Sequence, residues 1–281
     1  MSRLAISNIA WRSDERLAVY SLLAEHNVTG LEIAPGLTFP GTDDPFSPST
    51  AEVRRFRAEC EGNGLSPVSM QSLLFGSQGA RLFGSPAERA AFETGIERAI
   101  ALGARLETPN LVLGSPTNRV IPPNMARGDA EAIACEVLGR LGQSAQAAGV
   151  TLALEPNPVD YGTNFLNTMA ETLAFANRVD HPAITVNFDL GALHINGEFP
   201  LAASLFRQGL RRISHVHISE PHLAPAPASA AGVMALASVA TGIGYPGWFS
   251  IEMRPYGEDN VENVRVCVRA CLQALKTGTL R

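Results

Sequence analysis

The sequence has little basic charge, with a single lysine, Lys276, in 281 residues. Lys and Arg together number 22 against 27 Asp and Glu, which gives a net charge of −5. A protein that binds DNA or RNA needs a basic surface to neutralise phosphates. The composition therefore argues against a nucleic-acid partner and favours a small polar or neutral substrate.

Cysteine and long apolar segments are also scarce. There are four cysteines, and their spacing does not suggest a disulfide framework, which predicts a reducing compartment. No apolar stretch reaches the roughly 20 residues needed to span a bilayer. The opening segment MSRLAISNIAW lacks the apolar core of a signal peptide. We therefore expect a cytoplasmic protein with no membrane partner.

Short apolar segments alternate with longer helical patterns eight times. The strand candidates are 4–10, 31–34, 67–72, 110–114, 151–156, 184–190, 213–219 and 248–253. The helix candidates are 14–26, 49–62, 86–102, 129–148, 168–178, 198–210, 230–240 and 258–276. Such alternation predicts a parallel sheet, and eight units predict an α/β fold, a (β/α)₈ TIM barrel forming a single domain over residues 1–281. An open doubly wound sheet is the alternative, but no GxGxxG motif follows the first strand to favour it.

The segments that follow strands are longer than those that follow helices. Four of them are rich in Gly, Pro, Ser or Asn: 35–48, 73–85, 114–128 and 220–229. In a barrel, all of these segments lie at the C-terminal face, where active sites are built. The pattern predicts an enclosed pocket for a small molecule at that face.

The last four predicted strands alternate apolar and polar residues, so the polar set should point into the barrel. Each of these strands carries an ionisable residue at or near its C-terminal end, and successive ones are 34, 28 and 35 residues apart, one βα unit each. These residues are Glu155, Asp189, His217 and Glu252. We expect His215 to lie one layer deeper, as a support for this site or as a core histidine.

Three carboxylates that converge inside a barrel need a counter-charge. A divalent cation supplies it, and three oxygens with one imidazole suit Mn²⁺, Mg²⁺ or Co²⁺, with Zn²⁺ also possible. We therefore predict one divalent metal bound by Glu155, Asp189, His217 and Glu252.

Four motifs resemble the xylose isomerase-like TIM barrels, in particular the sugar phosphate isomerase/epimerase group with ketose 3-epimerases, hydroxypyruvate isomerase and inosose-processing enzymes. The motifs are LALEPNP (152–158), NFDLGALH (187–194), HVHISEPHLAP (215–225) and GYPGWFSIEMRP (244–255). The resemblance implies one catalytic divalent metal, commonly Mn²⁺, at the four residues above. It also implies that Glu155 and Glu252 are the acid/base pair, which with the metal would carry out proton transfer next to a carbonyl through a stabilised enediolate.

Three departures separate this chain from the ketose 3-epimerases. Their second glutamate after strand five is replaced here by a segment containing Asp160 and Tyr161. His222 and Leu223 stand where they carry an arginine, and His194 lies five residues past Asp189 rather than three. These differences argue against a free ketohexose 3-epimerase. Endonuclease IV shares the fold but needs additional histidines, which argues against DNA repair.

Six further residues are predicted to contact a small carbohydrate-like substrate: Gln71, Asn118, Arg119, His194, His222 and Arg254. Glu32 is expected either to bind a sugar hydroxyl or to pair with Arg254. The main hypothesis is a metal-dependent sugar isomerase or epimerase. The alternatives are a lyase or dehydratase on the same metal site and a non-catalytic sugar-binding barrel. A homo-oligomer is possible, but no surface patch identifies it.

Overall fold

Eight parallel strands form the sheet in this computed structural model, which describes residues 3–279. They are β1 (Arg3–Ser7), β2 (Gly30–Ile33), β3 (Ser66–Met70), β4 (Asn110–Leu113), β5 (Thr151–Leu154), β6 (Ile184–Asp189), β7 (Ile213–Ser219) and β8 (Trp248–Glu252). Each strand pairs with the next along the chain, and β1 pairs with β8, which closes the barrel. The predicted (β/α)₈ barrel is confirmed.

Helices follow the strands around the outside of the barrel. The α-helices within residues 3–279 are α1 (Arg16–Glu25), α2 (Pro35–Thr38), α3 (Thr50–Gly62), α4 (Pro86–Leu106), α5 (Arg127–Ala147), α6 (Met169–Val179), α7 (Leu190–Ile195), α8 (Ala202–Gly209), α9 (Ala230–Gly242) and α10 (Asn260–Thr279). Short 3₁₀ helices cover Asn8–Ala10, Ser13–Glu15, Pro116–Arg119, Val159–Tyr161, Phe199–Leu201 and Pro221–Leu223. Within this described part, no helix has both the length and the apolar character needed to cross a membrane.

Local hydrogen bonds between side chains and backbone groups explain two of the differences from the predicted elements. The first strand ends at Ser7 rather than at residue 10, since the Asn8 side chain accepts a hydrogen bond from the Ala34 N–H at 2.8 Å and residues 8–10 form a 3₁₀ turn. The short helix α7 was not predicted. It begins directly after β6 because Asp189 caps its N-terminus.

The alternation of the strands separates an outer apolar layer from a polar interior. Phe188 of β6 is fully buried and packs edge-on against Phe206 of α8, with ring centroids 5.2 Å apart. Its neighbours Asn187 and Asp189 are also buried but point to the opposite face, since side chains alternate along a strand. The barrel interior can therefore collect polar side chains from several strands.

Gly30 begins β2 at a point where the barrel wall has no room for a side chain. A Cβ at this position would lie 2.6 Å from the Ala5 Cβ and 2.7 Å from the Trp248 ring. We expect Gly30→Ala to lower the free energy of unfolding by about 1–3 kcal/mol through overpacking. Gly139→Ala on α5, where a Cβ would meet nothing within 4 Å, should instead raise it by about 0.4–1 kcal/mol. Urea denaturation of both variants checks the pair, and equal effects would contradict the packing described here.

Candidate metal centre

Four side chains meet at the C-terminal mouth of the barrel. Their ligand atoms all lie within 4.8 Å of one another. The members of this acidic cluster are Glu155, Asp189, His217 and Glu252. They come from the ends of β5, β6, β7 and β8, which are consecutive in the barrel. The structure thus brings together the four residues that the sequence predicted as metal ligands.

The imidazole of His217 lies at the centre of the acidic cluster. Its Nδ1 is 3.1 Å from Glu155 Oε1, 3.2 Å from Glu252 Oε2 and 3.5 Å from Asp189 Oδ2. The ring is completely buried, and Nδ1 has no hydrogen-bond partner among residues 3–279. A buried nitrogen without a partner, facing three carboxylates, fits the ligand set of a divalent cation.

The charges of the cluster favour a cation. Burial acts to lower the pKa of His217, but the negative charges of Glu32 and Glu252 outweigh it, and the pKa is raised well above its usual value. Burial raises the pKa of Glu252 above its usual value, although His217 opposes this shift. The raised pKa of His217 reflects the negative charge around its ring, which a divalent cation would neutralise.

Glu155 and Asp189 are held in place by neighbouring polar groups. Glu155 Oε1 accepts a hydrogen bond from Asn187 Nδ2 at 2.9 Å, and Oε2 accepts one from Asn157 Nδ2 at 3.1 Å. Asp189 Oδ1 accepts from the Ala192 N–H at 2.5 Å, and its Oδ2 accepts from the hydroxyl of the inward-facing Ser219 at 2.8 Å. Each of these carboxylates therefore has a fixed orientation.

Glu252 lacks such support. Among residues 3–279, its one polar side-chain contact is with His217 Nδ1. It is the last residue of β8 and lines the cavity described below. The two glutamates predicted as an acid/base pair therefore differ in their hydrogen bonds. Glu155 accepts from two side-chain amides, and within residues 3–279 Glu252 accepts from none.

The sequence alone assigned no roles to Asn157, Asn187 and Ser219. Asn187 and Ser219 are on the inward face given by the strand alternation, so a signal for them was available. Asn157 lies in the loop after β5, where periodicity gives no information on side-chain direction.

A second buried layer lies beneath the acidic cluster. Glu32, at zero exposure, places its carboxylate 3.0 Å from His217 Nε2 and 2.9 Å from His215 Nε2. The expectation that Glu32 binds a sugar hydroxyl or pairs with Arg254 is wrong, because both of its oxygens face these two histidines inside the barrel. His215 lies in this deeper layer, as the sequence predicted.

A cavity of about 440 Å³ opens above the acidic cluster. Glu155, Asp189 and Glu252 form part of its floor. Of the six predicted substrate contacts, His222 and Arg254 line the cavity. The volume falls within the range of sites for small ligands.

The loops after β5, β7 and β8 form one side of the cavity and are hydrogen-bonded to one another. The His222 N–H donates to the Tyr161 hydroxyl at 3.2 Å, and the Arg254 N–H donates to the Leu223 carbonyl at 2.9 Å. His222 and Leu223 both have left-handed backbone conformations, with φ of 58° and 60°. Such strain in residues other than glycine is common at functional sites.

The other four predicted substrate contacts do not line this cavity. The Gln71 side chain donates to the Ser7 hydroxyl beside the barrel wall. Asn118 donates from Nδ2 to the Ala80 carbonyl at 2.6 Å, which fixes the loop after β4. His194 stacks on Phe199, with ring centroids 3.7 Å apart.

Arg119 is almost completely buried, with 1% of its surface exposed. Its Nη2 donates to the Glu155 carbonyl at 3.0 Å, while Nε and Nη1 have no partner among residues 3–279. Burial lowers its pKa to about 10, which leaves the guanidinium charged at neutral pH. Arg119 therefore contributes a positive charge behind Glu155.

The comparison with known structures gives the same fold. An E. coli 3-keto-D-glucoside 4-epimerase superposes with a TM-score of 0.78 at 18% identity, covering 97% of this chain and 100% of that one. An L-ribulose 3-epimerase has a TM-score of 0.75 at 20% identity, with coverages of 99% and 96%. A D-psicose 3-epimerase solved in the presence of D-fructose has a TM-score of 0.73 at 17% identity, with coverages of 100% and 99%.

The sequence comparisons give a family but no individual relative. No curated protein matches the chain. The family model described as "Xylose isomerase-like TIM barrel" matches residues 20–270, which is most of the chain. On this match, the chain belongs to the xylose isomerase-like TIM barrel family.

Proposed function

We propose that this protein is a divalent-metal-dependent isomerase or epimerase of a small sugar or sugar-like substrate. The observation that carries the proposal is the acidic cluster, in which three carboxylates surround the buried His217 Nδ1, on the floor of a small-molecule cavity. The structural neighbours named above are sugar epimerases, which supports a carbohydrate substrate.

The proposed cofactor is one divalent cation held by the four residues of the acidic cluster. Mn²⁺ is the first candidate, and Mg²⁺, Co²⁺ or Zn²⁺ are alternatives. When bound, the cation supplies a Lewis acid that stabilises negative charge developing on a substrate oxygen.

The proton transfer is assigned to Glu252 and Glu155. Glu252 lines the cavity, and no amide or hydroxyl among residues 3–279 donates to its carboxylate, so it can accept a proton from a carbon next to the substrate carbonyl. Glu155 accepts hydrogen bonds on both oxygens, which fixes the direction of its carboxylate. We therefore assign the first proton abstraction to Glu252 and a supporting or proton-returning role to Glu155.

Substrate binding is assigned to the loop side of the cavity. His222, Arg254 and Tyr161 present nitrogen or hydroxyl groups suited to sugar oxygens. Gln71, Asn118, Arg119 and His194 stay as predictions for substrate contact. In the structure, Gln71, Asn118 and Arg119 donate hydrogen bonds to other protein groups.

Deuterium exchange tests this proposal. Protein loaded with Mn²⁺ is incubated in D₂O with a panel of ketoses, keto-acids and inososes, and the products are followed by NMR. We expect incorporation of deuterium next to a carbonyl together with interconversion of two sugars, and loss of both after treatment with a chelator. Net loss of water or of a glycosidic group would identify the lyase alternative. An absence of exchange with the whole panel, with no metal found by elemental analysis, would overturn the proposal.

A further inference from the structure

The Glu32 carboxylate is sealed inside the barrel beneath the acidic cluster. Glu32, His215 and His217 have relative exposures of 0%, 1% and 0%. Glu32 and His215 do not line the cavity above the cluster. Glu32 can therefore act on the site only through the side chains that touch it.

Hydrogen bonding to Glu32 determines which nitrogen of His217 carries a hydrogen. A carboxylate only accepts hydrogen bonds, so a nitrogen that faces it must be the donor. His217 Nε2 lies 3.0 Å from Glu32 Oε1 and 3.1 Å from Oε2. Nε2 is therefore the protonated nitrogen, and in a neutral ring Nδ1 presents its lone pair to the acidic cluster.

We propose that Glu32 is a positioning residue that holds His217 in the Nε2–H tautomer, so that Nδ1 is the nitrogen available to the metal. This inference rests on the proposed metal-dependent function. The pairing of a ligand histidine with a buried carboxylate is a general means of fixing ring orientation. Here the two groups are 185 residues apart in sequence, on β2 and β7.

His215 completes the arrangement. Its Nε2 lies 2.9 Å from Glu32 Oε2, and its ring meets the His217 ring nearly at a right angle, with centroids 5.4 Å apart. His215 thus helps to hold the Glu32 carboxylate in the layer beneath the acidic cluster.

The same three side chains also lie close enough to hold a cation of their own. His217 would then connect two metal ions through its two nitrogens. The complete burial of the group and its single carboxylate favour hydrogen bonding, because an ion there would lack solvent and substrate ligands. The number of ions per chain separates the two arrangements.

The first test is Glu32→Gln, measured by Mn²⁺ titration of the purified full-length protein. The glutamine amide would turn its NH₂ toward one of the two histidines, and that ring would have to move its hydrogen to the other nitrogen. We expect Mn²⁺ affinity to fall about 10- to 100-fold. Ser250→Ala is the matched control, since Ser250 is also fully buried on β8 and its hydroxyl has no partner among residues 3–279. Its affinity should stay near that of the wild type.

The second test uses the wild-type protein and does not depend on the folding of a variant. In ¹⁵N-histidine-labelled protein loaded with diamagnetic Zn²⁺, NMR should show His217 with its hydrogen on Nε2. A hydrogen on Nδ1, or equal Mn²⁺ affinity in Glu32→Gln and wild type, would overturn the inference. So would two ions per wild-type chain falling to one in Glu32→Gln. A wild type that binds no metal overturns the proposed function itself, and the inference with it.

Discussion

Glu252→Gln should lower the rate of deuterium exchange next to the substrate carbonyl by roughly 10²–10⁴-fold at saturating Mn²⁺. Within the described part of the chain, Glu252 is the carboxylate of the acidic cluster that lines the cavity and accepts no hydrogen bond from an amide or hydroxyl. Glutamine keeps its size and an oxygen near the metal position but cannot accept the proton. Exchange is followed by NMR, with bound metal quantified in the same sample so that loss of metal is not mistaken for loss of the base.

Glu220→Gln provides a matched comparison. Glu220 also lines the cavity but lies outside the acidic cluster, and its Oε1 accepts a hydrogen bond from the Ala228 N–H at 2.8 Å. A glutamine oxygen can keep that bond, so this variant should retain most of the exchange rate. If Glu252→Gln binds metal and exchanges at the wild-type rate, Glu252 is not the residue that moves the proton.

Removal of the metal should have the second large effect, on stability. A cation present at about 1,000 times its dissociation constant stabilises the folded state by about 4 kcal/mol. For a chain of this size, its chelation should lower the melting temperature by roughly 10 °C. The physical reason is that three partly buried carboxylates would lose the charge that offsets their repulsion. Scanning calorimetry with Mn²⁺ and with EDTA measures the difference.

Removing the metal should lower stability, whereas Glu252→Gln should raise the stability of the metal-free protein. Burial raises the pKa of Glu252 in the folded protein. At a pH above the pKa of this group in the unfolded chain, keeping the carboxylate ionised therefore destabilises the folded state. Replacing it by a neutral amide should raise the stability of the metal-free protein near pH 8 by an amount on the order of 2 kcal/mol. A melting temperature that does not respond to metal in either protein would contradict the assignment of the site.

The sequence was sufficient to predict the barrel and the composition of the acidic cluster. The reason is that alternation along a strand has a strict period of two, and parallel strands in a barrel end at the same face. Glu155, Asp189, His217 and Glu252 are each in phase with their own strand, so their convergence needs no knowledge of loops.

The depth of a residue inside the barrel is harder to predict. Glu32 is in phase with the inward face, but its contact with His215 and His217 depends on how far β2 and β7 are offset along the barrel axis. That offset is a property of the closed sheet and is absent from either segment alone. The wrong expectation for Glu32 follows from this limit.

The directions of side chains in loops are not given by the strand alternation. Asn118 and Gln71 are polar residues after strands, but their side chains bind other protein groups outside the cavity lining. Arg119 is buried although arginine is usually exposed. The directions of these side chains depend on the folded paths of the loops, for which the sequence carries no simple period.

The hydrogen bonds among the loops after β5, β7 and β8 make these three loops depend on one another. Tyr161, the His222–Leu223 segment and Arg254 are fastened to one another through backbone N–H groups. A substitution in one loop therefore displaces the others, and its effect depends on which residues the other two loops already carry. If the cavity binds the substrate as proposed, substrate choice becomes an epistatic property of three loops, and evolution or engineering toward a new substrate would proceed through coupled changes.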